Sequence, residues 1–144
     1  MTCFCQNEST LYSTDYSYLD LSVDENGLWI IYAPSSDTDD SLRVSQLDFD
    51  DLSVLKTWTI NVTRGSHGNG WITCGIVYLI GDVRSVTTWI EFAFDLFTGH
   101  RLGDVSLQFH NPYRLNTMLS YSHTEKIIYS WDRGNLLTYP LLLV

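Results

Sequence analysis

Residues 18–33 read YLDLSVDENGLWIIYA. Two runs suited to strands, LDLSV and LWIIYA, flank the polar tetrad Asp24-Glu25-Asn26-Gly27. Asn-Gly between two such runs signals a hairpin, because these residues accept the tight turn that joins antiparallel strands. Asp20 stands inside the first run, among residues otherwise suited to a core. A carboxylate goes inside only when something pairs with it, so Asp20 is the first candidate for a functional role.

The same pattern extends along the chain. Val, Ile, Thr, Tyr and Trp dominate, and turn signals recur at Asn26-Gly27, Gly68-Asn69-Gly70, Thr98-Gly99 and Gly134-Asn135. No stretch keeps a helical apolar period, so the fold class is all-β, built from short strands. The polar octet PSSDTDDS (residues 34–41) connects two strands, and its three acids are expected at a solvated loop tip.

Three segments match one another: GLWIIY (27–32), GIVYLI (75–80) and KIIYSW (126–131). Their central aromatics, Trp29, Tyr78 and Tyr129, are spaced 49 and 51 residues apart. A second element, SQLDFDDL (45–52) and FAFDLFTG (92–99), places Asp48 and Asp95 at turns that follow strands. Residues 135–144 remain for the third copy. A period near fifty with several short strands per unit is the signature of propeller blades. The repeats predict a partial β-propeller of about three blades, whereas closed propellers have about four to eight. The chain is then a fragment of a longer domain, a truncated gene product, or a protein completed by a partner. Its unclosed end blades would invite self-association.

Composition narrows the function. Hydrophobic residues at 44% against 17% charged residues exclude a disordered chain. A net charge of -9 repels a phosphate backbone, so no nucleic acid is expected as a partner. No apolar run approaches the ~18 residues of a membrane span, so no membrane insertion is expected. The start MTCFCQNEST has neither basic nor apolar region, and no signal peptide is visible in it. Asn7-Glu8-Ser9 and Asn61-Val62-Thr63 are sequons, making Asn7 and Asn61 candidate glycosylation sites. The spacing Cys3-x-Cys5 does not suit a zinc site. His67, His100, His110 and His123 sit in turn-like contexts and are expected to be solvated. The five tryptophans are expected between blades or over hydrophobic strands. No nucleophile elbow, zincin helix or phosphate loop is present, so no residue is assigned a catalytic role.

Several of these stretches match a known family in order. The run LDLSVDENGLWIIYA (19–33) resembles the D-L-A-V-D-E-x-G-L-W-V-I-Y run of the olfactomedin domain. RGSHGNGWITCGIVY (64–78) is similar to that family's R-S-x-x-N-A-F-x-x-C-G-x-L-Y, and SQLDFDDLSVLKTW (45–58) to its S-K-L…T-W stretch. FAFDLFTG resembles A-Y-D-T-x-T-G, and WDRGNLLTY (131–139) resembles W-D-N-G-H-L-V-T-Y. The resemblance implies a five-bladed propeller, of which residues 18–144 would form an incomplete domain behind a non-family segment, 1–17. It further implies a secreted, non-enzymatic module for adhesion or signalling, with extracellular proteins or matrix components as partners. A calcium-dependent propeller hydrolase is the alternative, alongside a non-functional fragment.

Carried over residue by residue, the family's calcium site would fall on the side chains of Asp20 and Asn69, the carbonyls of Gly70 and Leu119, and Ser120. Calcium binders of the family have an aspartate where this chain has Ser120, which removes one formal charge. Two expectations follow: weak calcium binding, or a hydrogen-bonded channel without metal. Three of these residues, Asp20, Asn69 and Ser120, are expected to converge on the propeller axis. Cys74 matches the family cysteine that bonds to one near the domain start. That start is missing here, and Cys3 or Cys5 would be the substitutes. A buried free thiol on the strand WITCGIVYLI is the expectation for Cys74.

Overall fold

The structure, a computed structural model, describes residues 10–103 and 105–142. Its regular elements are all strands, as the sequence predicts. β1 (Leu19–Asp24), β2 (Gly27–Tyr32), β3 (Ser41–Leu47) and β4 (Val54–Thr63) form the first sheet in chain order. β5 (Asn69–Thr73), β6 (Ile76–Ile80) and β7 (Thr87–Asp95) form the second. The outer edge of β7 carries β8 (His100–Arg101) and β9 (Leu107–His110) at its two ends. β10 (Asn116–Ser122), β11 (Ile127–Asp132) and β12 (Asn135–Pro140) form the third. Every pairing is antiparallel. None of the sheets closes on itself.

The three sheets repeat one plan. Trp29, Tyr78 and Tyr129 each occupy the third position of the second strand, so the spacing of aromatics marks real structural equivalence. Asp48 and Asp95 do the same job in two sheets. Asp48 Oδ1 accepts from the N–H of Asp50 and Asp51, and Asp95 Oδ1 from the N–H of Phe97 and Thr98. Each carboxylate thus closes a turn by mimicking backbone.

The first strands, β1, β5 and β10, touch one another, and the later strands of each sheet lie outward. Apolar side chains fill the two gaps between neighbouring sheets. Trp29, Ile31, Val44 and Ile60 of the first sheet meet Ile72, Val77, Leu79 and Phe92 of the second. Trp71, Ile80 and Phe109 of the second meet Leu119, Tyr121 and Ile128 of the third. Each fully buried residue of this size contributes roughly 1.5–3 kcal/mol, so these two layers are the main driving force. Leu11 and Tyr12, which precede β1, are buried in the first layer.

The structure departs from local sequence expectation at four points. Gly68-Asn69-Gly70 is not a turn: Asn69 and Gly70 open β5. The small residues are required by close approach, since a Cβ on Gly68 would lie 2.3 Å from the Gly81 carbonyl oxygen. Cys74 is neither buried nor within a strand. It is exposed, with φ of 50°, and with Gly75 at 72° it forms the two-residue turn between β5 and β6. Both turn residues have positive φ, the geometry that matches strand twist in a tight hairpin. Alternation in WITCGIVYLI therefore ran through a turn. The thiol is free, and Cys3 and Cys5 lie outside the described residues, as does Asn7. His100 and His110 are strand residues, exposed, and His67 is half-buried. Within the acidic loop, Asp39 pairs with Arg43 and Asp40 with Arg64, so only part of that loop is free in solvent.

Asp24 is the buried acid that the hairpin needs. Its carboxylate accepts from the Trp29 indole (2.7 Å), the Asn26 N–H (2.8 Å) and, across the gap between sheets, the Gly75 N–H (2.7 Å). Replacing Asp24 with Ala leaves the buried Trp29 and Gly75 donors without partners, whereas the exposed Asn26 N–H turns to water, and each buried loss costs ~1–3 kcal/mol. Urea unfolding of Asp24→Ala is expected to show a loss of at least ~2 kcal/mol relative to wild type.

Candidate functional site at the inner strands

The polar groups of the inner strands are organised by the same repeat. Asp20, Ser22 and Asp24 share one face of β1, by the two-residue period of a strand. That face looks at the second sheet. The Ser22 hydroxyl accepts from the Ile72 N–H at 3.2 Å, and Asp24 accepts from Gly75. Asp20 Oδ2 accepts a 2.7 Å hydrogen bond from the hydroxyl of Tyr12. Burial raises the Asp20 pKa to about 6, although the Tyr12 bond pulls the other way. The Tyr12 phenol is itself pushed well up, by burial first and the neighbouring Asp20 second.

On β5, Asn69 looks at the third sheet. Its amide donates to Asn116 Oδ1 at 3.2 Å, and its own Oδ1 accepts from the Gly70 N–H at 2.9 Å. Asn116 continues the chain of bonds to Asn111 (3.1 Å) and Ser130 (2.9 Å). All four of these polar side chains are buried and mutually satisfied. Asn111, Asn116 and Ser130 were not legible from sequence, because a polar residue in a strand usually reads as solvent-facing.

Register places the five carried-over residues. Asp20 pairs with Ile31 and Asn69 with Ile80, each two residues past the marker aromatic. Ser120 pairs with the marker Tyr129 itself. It therefore stands two residues along from their level, roughly 6–7 Å. Leu119 is buried in the second apolar layer, so Ser120, next to it, is on the opposite, outer face of the third sheet, where it is exposed. No hydrogen bond joins Asp20, Asn69 and Ser120 to one another among the described residues.

A second polar cluster ties the sheets together at one end. Glu25, in the β1–β2 turn, accepts from the Cys74 N–H at 3.2 Å. It also accepts from the Tyr121 hydroxyl and the Lys126 ammonium, each at 2.5 Å. One turn of the first sheet thus holds a turn of the second and two residues of the third. Partial burial pulls the Glu25 pKa up, but the bonds from Lys126 and Tyr121 outweigh it and hold the carboxyl at about 2. The Cys74 thiol beside it is pushed up by burial and by the Glu25 charge, so it is not activated as a nucleophile.

One arrangement looks like a hydrolase relay. The Ser66 hydroxyl lies 2.9 Å from His67 Nδ1, and His67 Nε2 lies 3.7 Å from Glu91. The Ser66 hydroxyl also donates to the Thr63 carbonyl, three residues back, so the cluster braces its own turn. Among the described residues no three His, Cys, Asp or Glu side chains group as a metal site.

Comparison with known proteins agrees with this architecture. A family model described as the olfactomedin-like domain matches residues 3–144. The chain is 34% identical over 128 residues to rat (Rattus norvegicus) myocilin, covering 89% of this chain and 25% of that protein. It is similarly 34% identical to myocilin of Canis lupus familiaris, covering 26% of that protein, and 33% identical to that of Homo sapiens, covering 25%. The chain spans about a quarter of the length of these relatives. It belongs to the olfactomedin-like domain family.

The Glu25 cluster carries a pH dependence of definite sign. Glu25 titrates lower in the folded chain than in the unfolded one, so its contribution is present above the ordinary glutamate pKa of 4.5 and fades as pH falls toward 2. Urea titrations of wild type and Glu25→Gln are expected to differ most at neutral pH and to converge at the acid end of that window. A gap that stays constant with pH would refute the assignment.

Proposed function

We propose that this member of the olfactomedin-like family is a non-enzymatic extracellular module that binds other proteins or matrix components. We read its three sheets as three blades of a five-bladed propeller. The observation that carries this reading is the repeated meander whose first strands meet at a common centre, on a chain that matches the family model over residues 3–144. Two further features support it. Asn61, the sequon residue on β4, is exposed and accessible to a glycosyltransferase. The buried carboxylates Asp24 and Asp132 are occupied as structural acceptors, the latter holding the N–H groups of Tyr113 and Leu115 at 2.8 Å. Neither is left free to act as a general base.

The end faces fit blades that lack neighbours. On the outer face of the third sheet, Met118, Trp131 and Leu136 are direct cross-strand neighbours and all three are exposed. On the first sheet, Leu19 and Leu21 are exposed on the face of β1 turned away from the second sheet. The occupant we assign to the third-sheet face is a further sheet of the same kind, because the opposite face of that sheet already packs against one. Without it, a second copy of the chain is the nearest substitute.

Sedimentation of the isolated chain is expected to show self-association that Trp131→Glu weakens. A compact monomer that melts cooperatively, with or without that substitution, would overturn the blade assignment.

A further inference from the structure

Asp20 has no ion pair among the described residues, although it lies partly buried on the face of β1 turned to the second sheet. Its partner is a neutral hydroxyl that comes from outside the repeat. The carried-over calcium set does not fit this arrangement. A hard cation needs several oxygens aimed at one point. Here Asp20 Oδ2 already accepts from Tyr12, and Asn69 Oδ1 is turned back to the N–H of its own neighbour Gly70. Ser120 is exposed on the outer face of the third sheet, two residues out of register.

We propose that Tyr12 takes the place that a cation would hold beside Asp20, so that the segment before β1 is a built-in cap on the inner-strand carboxylate. Three observations converge. The hydroxyl of Tyr12 donates directly to Asp20 at 2.7 Å. The same oxygen lies against Gly70, one of the carried-over ligands: a Cβ on Gly70 would come within 3.3 Å of it, besides meeting Leu79 Cδ2 at 2.6 Å and the Tyr78 carbonyl at 2.7 Å, so the phenol closes over the glycine on that side. The capping segment is fastened rather than loose. The Leu11 N–H donates to the Ser17 carbonyl, the Gly65 N–H to the Leu11 carbonyl at 2.9 Å, and the Ser13 N–H to the His67 carbonyl at 2.8 Å. Leu11 and Tyr12 are both buried in the first apolar layer. One O–H donor satisfies one buried carboxylate without adding charge, which suits a site that holds a single acid.

The test uses the full chain with terbium(III) and calcium as probes, on wild type, Tyr12→Phe and the double variant Tyr12→Phe with Asp20→Asn. Tyr12→Phe removes the hydroxyl and keeps the ring in the core. Terbium luminescence sensitised by the protein's aromatic residues is expected to report binding at least about tenfold tighter in Tyr12→Phe than in wild type, and to lose that gain in the double variant. Equal binding in wild type and Tyr12→Phe, absence of binding in both, or a gain that survives Asp20→Asn would overturn the proposal. Near-UV circular dichroism checks that the variants fold. Carboxyl-carbon NMR of wild type gives an answer that needs no variant. The Asp20 resonance is expected to stay fixed as calcium is added, and a saturable shift of it would overturn the cap.

Discussion

The carboxylates of Asp24 and Glu25 are the constraint on which the arrangement of sheets depends. They are neighbours in sequence, Asp24 closing β1 and Glu25 opening the turn after it, and they point to different partners. Asp24 fixes the Trp29 indole within its own hairpin and the Gly75 N–H of the second sheet. Glu25 reaches the Cys74 N–H of the second sheet and Tyr121 and Lys126 of the third. Apolar packing draws sheets together without direction. These hydrogen bonds supply the direction, because a sheet that slid or rotated would strip donors from buried or half-buried acids. The sharp, positive-φ turn at Cys74-Gly75 is part of the same device: it presents successive N–H groups to the two carboxylates.

A second tier of order runs along the inner strands. Ser22 on Ile72, and Asn69 on Asn116, join first strands of neighbouring sheets through side chains, where no strand-to-strand ladder exists. A fully satisfied buried network of this kind specifies one packing among many. It also explains why the centre of the molecule is polar while the gaps between sheets are apolar. Inner strands bring backbone and side chains from three sheets into a small space, and amides and hydroxyls can serve more than one neighbour there. Tyr12 joins the centre from outside the repeat and gives Asp20 the partner that the opening stretch of sequence lacked.

Period and turn chemistry were legible in the sequence, because they depend on residue type at fixed spacing. The strand class, the fifty-residue repeat, the equivalence of Trp29, Tyr78 and Tyr129, and the turn acids Asp48 and Asp95 all follow from alternation and turn chemistry. Trp29 and Trp71 lie between sheets as expected, while Trp89 and Trp131 are exposed. Alternation misled at WITCGIVYLI, since a tight turn of two residues preserves parity and looks like continuous strand. Composition misled at Gly68-Asn69-Gly70, where glycine serves close approach and not a turn. The spacing of Asp20, Asn69 and Ser120 equals that of the marker aromatics, but the β10–β11 turn holds four residues where the first two hairpins hold two, so Ser120 falls two residues out of register along its strand.

By itself, the sequence determined the all-β class, the three repeats and the hairpin around Asp24–Gly27, because local backbone preference and side-chain period carry that information. Only the tertiary structure decided the partners of the buried polar groups. Tyr12 with Asp20, Asn69 with Asn116, and Glu25 with Tyr121 and Lys126 are separated by 8, 47 and 96–101 residues. Within a strand, spacing sets only which face a side chain takes. What stands opposite that face depends on how separate sheets pack, and that is settled by the shape of the two apolar layers and by the donors they bring to each acid.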